Sequence, residues 1–510
     1  MSTAPGAPAS VEPKPWQTGL APVYIGVFLW IAFSDRLGRR ALPVGGLGWA
    51  MLGALAAGPL AYALLFRVPA TWGWKTGRRL DAVAAGTFGV RGAPLVPGLL
   101  MAMGQVVLFA VAVGYAVDLT FDGLVAGRMV DPRALRPVQV GGATLRSPLV
   151  LATSLAWAII TGLVSFRFTR WIAALMQYFP LFPALLLGVA MVGTLTGLRN
   201  FRPTGVDPLD PGLVLAPREG AILAFLLTFQ WVFGFAALAG VAGVDWGAGS
   251  VALRDVRAGG WVGFGLAPVV VAALALLAVA GHQGSLAAAQ PFSFEPPKTY
   301  ARRPPSGSTI GDLPGRPGGE APASSASPVP GPDAPPFTLR AVLVGGFDRR
   351  VGFAMLLIFG LASLAPAIYA SFGFGRRFSA MGPGVAPLAW TLLGATAGWL
   401  LIVGGWAGRP EDVFNVLGAA FAPVSGAMAA DYALRRGRWP GPRRGVNPPG
   451  LIAWALGLAV GLVPTVARAL GSARPDRFQP AALGAFAVAF LAYALLALAR
   501  LESRPVEGGA

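Results

Sequence analysis

Residues 262–281, VGFGLAPVVVAALALLAVAG, form a run of twenty residues without a charged side chain. As a helix rising 1.5 Å per residue, such a run reaches about 30 Å, the thickness of a bilayer's hydrocarbon core. A helix in a soluble core would keep a polar stripe for water, and this run has none. The same pattern recurs on both sides of it. Long apolar stretches alternate with short, arginine-rich connectors, and only 12% of the 510 residues are charged while 55% are hydrophobic. A soluble chain of this size carries roughly a quarter charged residues. The sequence therefore reads as an all-α membrane protein.

Hydropathy places spans at 19–46 (interrupted), 47–66, 93–117, 148–166, 171–196, 220–243, 262–281, 351–372, 384–406, 412–433, 449–470 and 479–499. About twelve transmembrane helices are expected, and an even number puts both termini on one side. Connectors expected on the same side as the termini hold 19 lysines and arginines, against 11 on the other side when the long 282–350 loop is set aside. Long loops cross largely regardless of charge, so the excess points to cytoplasmic termini and an inner-membrane location. The divisions that follow are a polar N-terminus (1–18), spans one to seven (19–281), a Pro/Gly-rich loop (282–350), spans eight to twelve (351–499) and a C-terminal tail (500–510). Within the loop, 302–336 holds almost no large apolar side chain, the composition of a disordered spacer.

The net charge of +18 comes from arginines at the ends of apolar runs, not from a basic surface interleaved with aromatics. No nucleic-acid partner is expected; the partners are the lipid bilayer and a small molecule. With no cysteine and a single histidine, His282, thiolate and multi-histidine metal sites are excluded. His282 reads as an interfacial loop residue. No Walker loop or dinucleotide fingerprint occurs, so no cofactor and no enzyme is expected. The N-terminus lacks the basic segment and cleavage site of a signal peptide, so the first span is expected to be retained.

The first span is unusual. Its apolar run stops at Phe33 and gives way to Ser34-Asp35-Arg36-Leu37-Gly38-Arg39-Arg40 before resuming at Pro43. Two readings fit: a short helix ending in a polar surface loop, or a helix broken inside the membrane. Broken helices occur where backbone lines an enclosed or wet cavity, and charges at that depth suggest function.

Several motifs, in order along the chain, resemble the nucleobase:cation symporter-1 family, cytosine permeases above all. Lys75-Thr76-Gly77 and Thr87-Phe88-Gly89-Val90-Arg91-Gly92 are similar to its second-to-third-helix loop, and Pro94, Pro97 and Gly104-Gln105-Val106 to its third helix. Tyr369-Ala370-Ser371 with Gly373 and Phe374 resembles the end of helix eight. The longest likeness runs from Phe414-Asn415-Val416-Leu417-Gly418 through Pro423-Val424-Ser425-Gly426 and Ala430-Asp431-Tyr432 to Gly445-Val446-Asn447 and Gly450-Leu451-Ile452-Ala453-Trp454. The resemblance implies two inverted five-helix repeats, the LeuT-like arrangement, plus two extra helices. It also implies breaks in helices one and six, and alternating access coupled to Na+ or H+. The implied cargo is a nucleobase or a related ring such as hydantoin or allantoin.

A flat, polar-edged ring needs an aromatic face and amide or carboxylate groups for its edge. Gln105, Gln230 and Trp231 are the residues expected to face a central cavity, with Phe109, Phe233 and Phe235 as stacking surfaces. The aromatics also suit plain helix packing. A mid-span amide is different, because in hydrocarbon it must meet another helix, water or a ligand. Ser363 is the hydroxyl left for a sodium ion, and Asp35 is the proton-coupling alternative. Asp245 and Asp431 read as anchors of cytoplasmic helix ends. The sequence departs from the family at Leu108, where a tryptophan is usual, and at Ala362–Ile368, which lacks the usual threonine and asparagine. Two further readings follow from those departures: a permease of the same fold for another small solute, or a non-transporting receptor or scaffold using the 282–350 loop.

Overall fold

A computed structural model of the chain describes residues 37–140, 143–168, 181–208, 210–289, 338–472 and 474–506. It is built of helices: α1 (37–45), α2 (Leu47–Thr76), α3 (Leu80–Phe88), α4 (Pro94–Ala126), α5 (Pro148–Arg167), α6 (Leu181–Asn200), α7 (Pro217–Ala248), α8 (Leu253–Ala288), α9 (Leu339–Gly345), α10 (Arg349–Met381), α11 (Pro387–Val403), α12 (Pro410–Leu434), α13 (Pro448–Ala469) and α14 (Pro475–Leu498). Ten of these, among the described residues, are long and apolar enough to cross a membrane, and α11 is a shorter apolar helix. Eleven of the twelve predicted spans thus have a helical counterpart, and the first lies mostly outside the described residues. Two small antiparallel hairpins, β1 (Val138–Val140) with β2 (Ala143–Leu145) and β3 (Val206–Asp207) with β4 (Asp210–Val214), close connectors at one face.

Several helices outrun their hydropathy. The second was expected to stop at 66, yet α2 continues through Arg67 and Lys75 to Thr76 after a widened turn at Ala61–Phe66. Those two side chains are exposed, so the helix can carry them past the apolar layer. His282 was expected in a loop. It lies instead inside α8, 5% exposed, with its ring against Gly345 and Gly346. Glycines at those positions leave room for the imidazole. The described ends of the 282–350 loop are therefore helical, as the end of α8 and as α9; residues 290–337 lie outside the described residues.

Helix six was expected to break, but α7 runs unbroken from Pro217 to Ala248. Its mid-helix glycine serves packing instead. A Cβ placed on Gly418 of α12 would lie 2.9 Å from the Gly234 Cα, so the two helices cross at a pair of glycines. Small residues at such crossings are the usual means of close approach where lipid gives no hydrophobic drive between helices.

Two groups of helices result. One packs α2, α7 and α8 together; the other packs α4, α5, α10 and α11. Helix α12 lies against α7 and, on its other side, against α13 and α14. Each end of the bundle carries an ionic cluster. At the face where α7 begins, Arg40 holds Asp207 at 2.6 Å and Asp476 at 2.7 Å, while Arg468 holds Asp412 and Asp476. At the opposite end of α7, Asp245 accepts from the Leu80 backbone N–H at 2.8 Å and from Arg377 at 2.7 Å. It thereby satisfies an open N–H at the start of α3. The same face holds Arg443, which bonds Asp431, Glu502 and the Tyr493 hydroxyl.

Candidate functional site

Helices α4, α7, α10 and α12 meet around Gly104 and Gln105. A Cβ on Gly104 would lie 2.5 Å from Leu238 of α7 and 2.8 Å from the ring of Phe421 on α12, so only hydrogen fits there. The next side chain, Gln105, turns toward α10, where its carboxamide fills the place a Cβ would take on Gly373. Gln105 is 6% exposed, and its Oε1 has no hydrogen-bond partner among the described residues. A buried carbonyl oxygen left without a donor costs about 1–3 kcal/mol. Gly104 marks where α4 touches α7 of the other group, and the neighbouring Gln105 presents its unfilled acceptor on the α10 side.

Phe109, one turn along α4, is fully buried, with its ring edge-on to Phe374 of α10 at 5.6 Å and against Gly398 of α11. Gln105 and Phe109 thus share one helix and both meet α10. Trp231 and Phe235 on α7 keep 7% and 8% of their surface, and Phe235 sets its ring against Phe414 at 5.6 Å. Phe233 is wholly buried, stacked on Phe229 at 5.5 Å.

Gln230 is engaged elsewhere. Its Nε2 donates to Asn415 Oδ1 at 3.1 Å, and its Oε1 accepts the Ala482 backbone N–H at 3.0 Å. One amide therefore joins α7, α12 and the start of α14. Gln230→Leu should lower stability by about 1–3 kcal/mol, because it leaves the buried Ala482 N–H without an acceptor. Unfolding of the detergent-solubilised protein would register that loss, and ligand affinity should stay within twofold.

Ser363 sits in α10 where the chain pauses between Arg349–Ala362 and Leu364–Met381, and its hydroxyl donates to the Phe359 carbonyl at 2.9 Å. Pro366 three residues on has no N–H to offer the Ala362 carbonyl. The Ser363 hydroxyl thus lies beside a carbonyl, Ala362, that lacks the usual donor four residues on. Asp35 lies outside the described residues. Arg39 and Arg40, from the same polar stretch, are described: both line a pocket at the outer end of α1.

Two contacts that sequence reading did not pair also bridge the helix groups. The Trp246 indole of α7 donates to the Tyr369 hydroxyl of α10 at 3.2 Å, and Asp245 pairs with Arg377 nearby. Tyr369 was visible as a motif, but its partner lies 123 residues away.

No protein-family model matches the chain, and no curated protein matches it. Among solved structures it is similar to Mhp1, a nucleobase-cation-symport-1 family transporter, in a closed conformation with bromovinylhydantoin bound. That similarity is 17% identity over 97% of this chain and 96% of that chain, with a TM-score of 0.58. Against the inward-facing conformation of Mhp1 the identity is 18%, the coverage 100% and 97%, and the TM-score 0.60. The chain thus carries, over nearly all its residues, the fold of a nucleobase-cation-symport-1 transporter, in a sequence far diverged from it.

Proposed function

We propose that the protein is a secondary active transporter that takes up a nucleobase or a related ring compound by alternating access, driven by Na+ or H+. The observation that carries this reading is the Gln105 carbonyl oxygen, buried against Gly373 of α10 without a donor among the described residues, one residue from the Gly104 crossing of α4 with α7 and α12. A ring N–H would complete it. A site arranged to hydrogen-bond a polar edge discriminates strongly against rings that lack one. Trp231 and Phe235 offer aromatic surface, and the bromovinylhydantoin bound by Mhp1 is a cargo of this kind.

The division into two groups supports the motion. The Asp245–Arg377 pair and the Trp246–Tyr369 hydrogen bond join the groups at one end, so opening a path there requires both to part. Ser363 and the neighbouring Ala362 carbonyl are the oxygens we assign to a coupling cation. Hard cations take several such ligands. Asp35 is the alternative if protons drive transport. The Arg443 face is assigned to the cytoplasm, in keeping with the excess of basic residues in its connectors.

Uptake into proteoliposomes tests the reading, using labelled cytosine, uracil, hydantoin and allantoin under an imposed Na+ or pH gradient. One ring class should accumulate, and an ionophore collapsing the driving gradient should stop it. Gln105→Leu should weaken that solute about tenfold, the loss of roughly 1.4 kcal/mol from one hydrogen bond, with expression unchanged. Failure of every ring to accumulate under both gradients would overturn the assignment.

A further inference from the structure

We propose that the pocket where α1, α12 and α13 end together binds a single oxyanion, a carboxylate or a phosphate group. The pocket encloses about 230 Å³ and is lined by Arg39, Arg40, Arg409 and Arg468, with Glu411 and Asp412. Four guanidinium groups converge on it, and Asp207 and Asp476, which pair with Arg40 and Arg468, stand behind the two carboxylates of the lining.

Two of the four arginines are already matched. Arg40 is clamped by Asp207 and Asp476, and Arg468 by Asp412 and Asp476. The other two are not. Arg39 Nε is shut off from solvent and has no hydrogen-bond partner, and Arg409 forms no ion pair among the described residues. A guanidinium N–H withdrawn from water without an acceptor is costlier than a neutral donor in the same position. Its planar fork matches the paired oxygens of a carboxylate or phosphate. Arg409 directly precedes Pro410, the first residue of the 25-residue helix over Pro410–Leu434, so the positive end of that helix opens on the same pocket. The carboxylates that fix Arg40 and Arg468 keep the pocket's shape; Arg39 and Arg409, beside Glu411, supply the guanidinium N–H groups that are left for a ligand. The volume suits a small carboxylic acid or one phosphate group.

The shared chemistry admits two sources, a free anion from the aqueous side or the phosphate of an anionic lipid. Calorimetric titration of the full-length protein in an uncharged detergent separates them. Inorganic phosphate, acetate and a short-chain phosphatidylglycerol are titrated in turn at constant ionic strength. Saturable binding of phosphate or acetate would assign a free anion; binding of the lipid alone would assign a headgroup. In either case Arg39→Gln and Arg409→Gln should each weaken binding at least tenfold. Arg78→Gln, on the opposite face where Arg78 stacks on Trp439, should leave it unchanged. Because Arg39 and Arg409 hold no ion pair among the described residues, both variants should fold as the parent does. No saturable binding of any of the three probes, or binding indifferent to both substitutions, overturns the proposal.

Discussion

Arg443→Leu should cost the protein about 3–5 kcal/mol of stability, the loss expected when one member of a buried ion pair is removed. The Arg443 side chain is almost completely enclosed, donating to Tyr493 at 2.6 Å, Glu502 at 2.7 Å and Asp431 at 3.3 Å. Asp431 is itself fully buried, with Thr87 as a second donor at 3.1 Å and Arg435 at 3.8 Å. Leucine would leave that carboxylate beside Glu502 without its main counter-charge. The damage should spread, because the same corner pins the C-terminal segment: Ser503 bonds Asn447, Val506 bonds the Pro442 carbonyl, and Asn447 bonds the Thr87 carbonyl. Unfolding in mixed SDS micelles measures the loss, and adding Asp431→Asn to Arg443→Leu should recover part of it by removing the stranded charge. A change below about 1 kcal/mol would mean that water already reaches and screens the cluster.

Both ionic clusters show where sequence reading stops. The spans could be placed because burial in lipid leaves a local signature, an uninterrupted apolar run of the right length. Ionic partners leave no such signature: Arg40 and Asp207 are 167 residues apart, and Arg377 and Asp245 are 132 apart. Asp245 and Asp431 were legible as helix-end anchors, but not which arginines they hold. Helix limits were missed for a related reason. Hydropathy sees the apolar layer and not the helix, so Arg67 and Lys75 looked like loop residues although α2 carries both. The two glutamines mark the same limit within the site. Each reads as a mid-span amide that must be satisfied, and only the fold separates them. Gln230 finds Asn415 and Ala482 far along the chain, whereas the Gln105 carbonyl finds none among the described residues. The break implied for helix six is absent, and its Gly234 packs against Gly418 across the helix pair.

Gly373→Ala should abolish ring binding while leaving the protein nearly as stable as the parent. A Cβ at this position would coincide with the Gln105 carboxamide oxygen and crowd its carbon and nitrogen. Since the obstructed atoms are the far end of a flexible side chain, the glutamine can swing aside without moving backbone. The helix also gains, because alanine is favoured over glycine inside a helix by roughly 1 kcal/mol. Stability should therefore stay within about 1 kcal/mol. The carboxamide, however, can no longer keep its oxygen at the α10 surface where the proposed ring N–H would meet it, and once displaced it takes up volume a ligand needs. The expected loss is a hundredfold or more in affinity, larger than for Gln105→Leu, which removes the hydrogen bond but adds no obstruction. In the double variant Gly373→Ala with Gln105→Ala the obstruction disappears. Its affinity should rise back toward that of Gln105→Leu. This non-additivity is the signature of two residues acting through one contact, and simple addition of the two losses would place Gly373 outside the site and leave Gln105 to act alone.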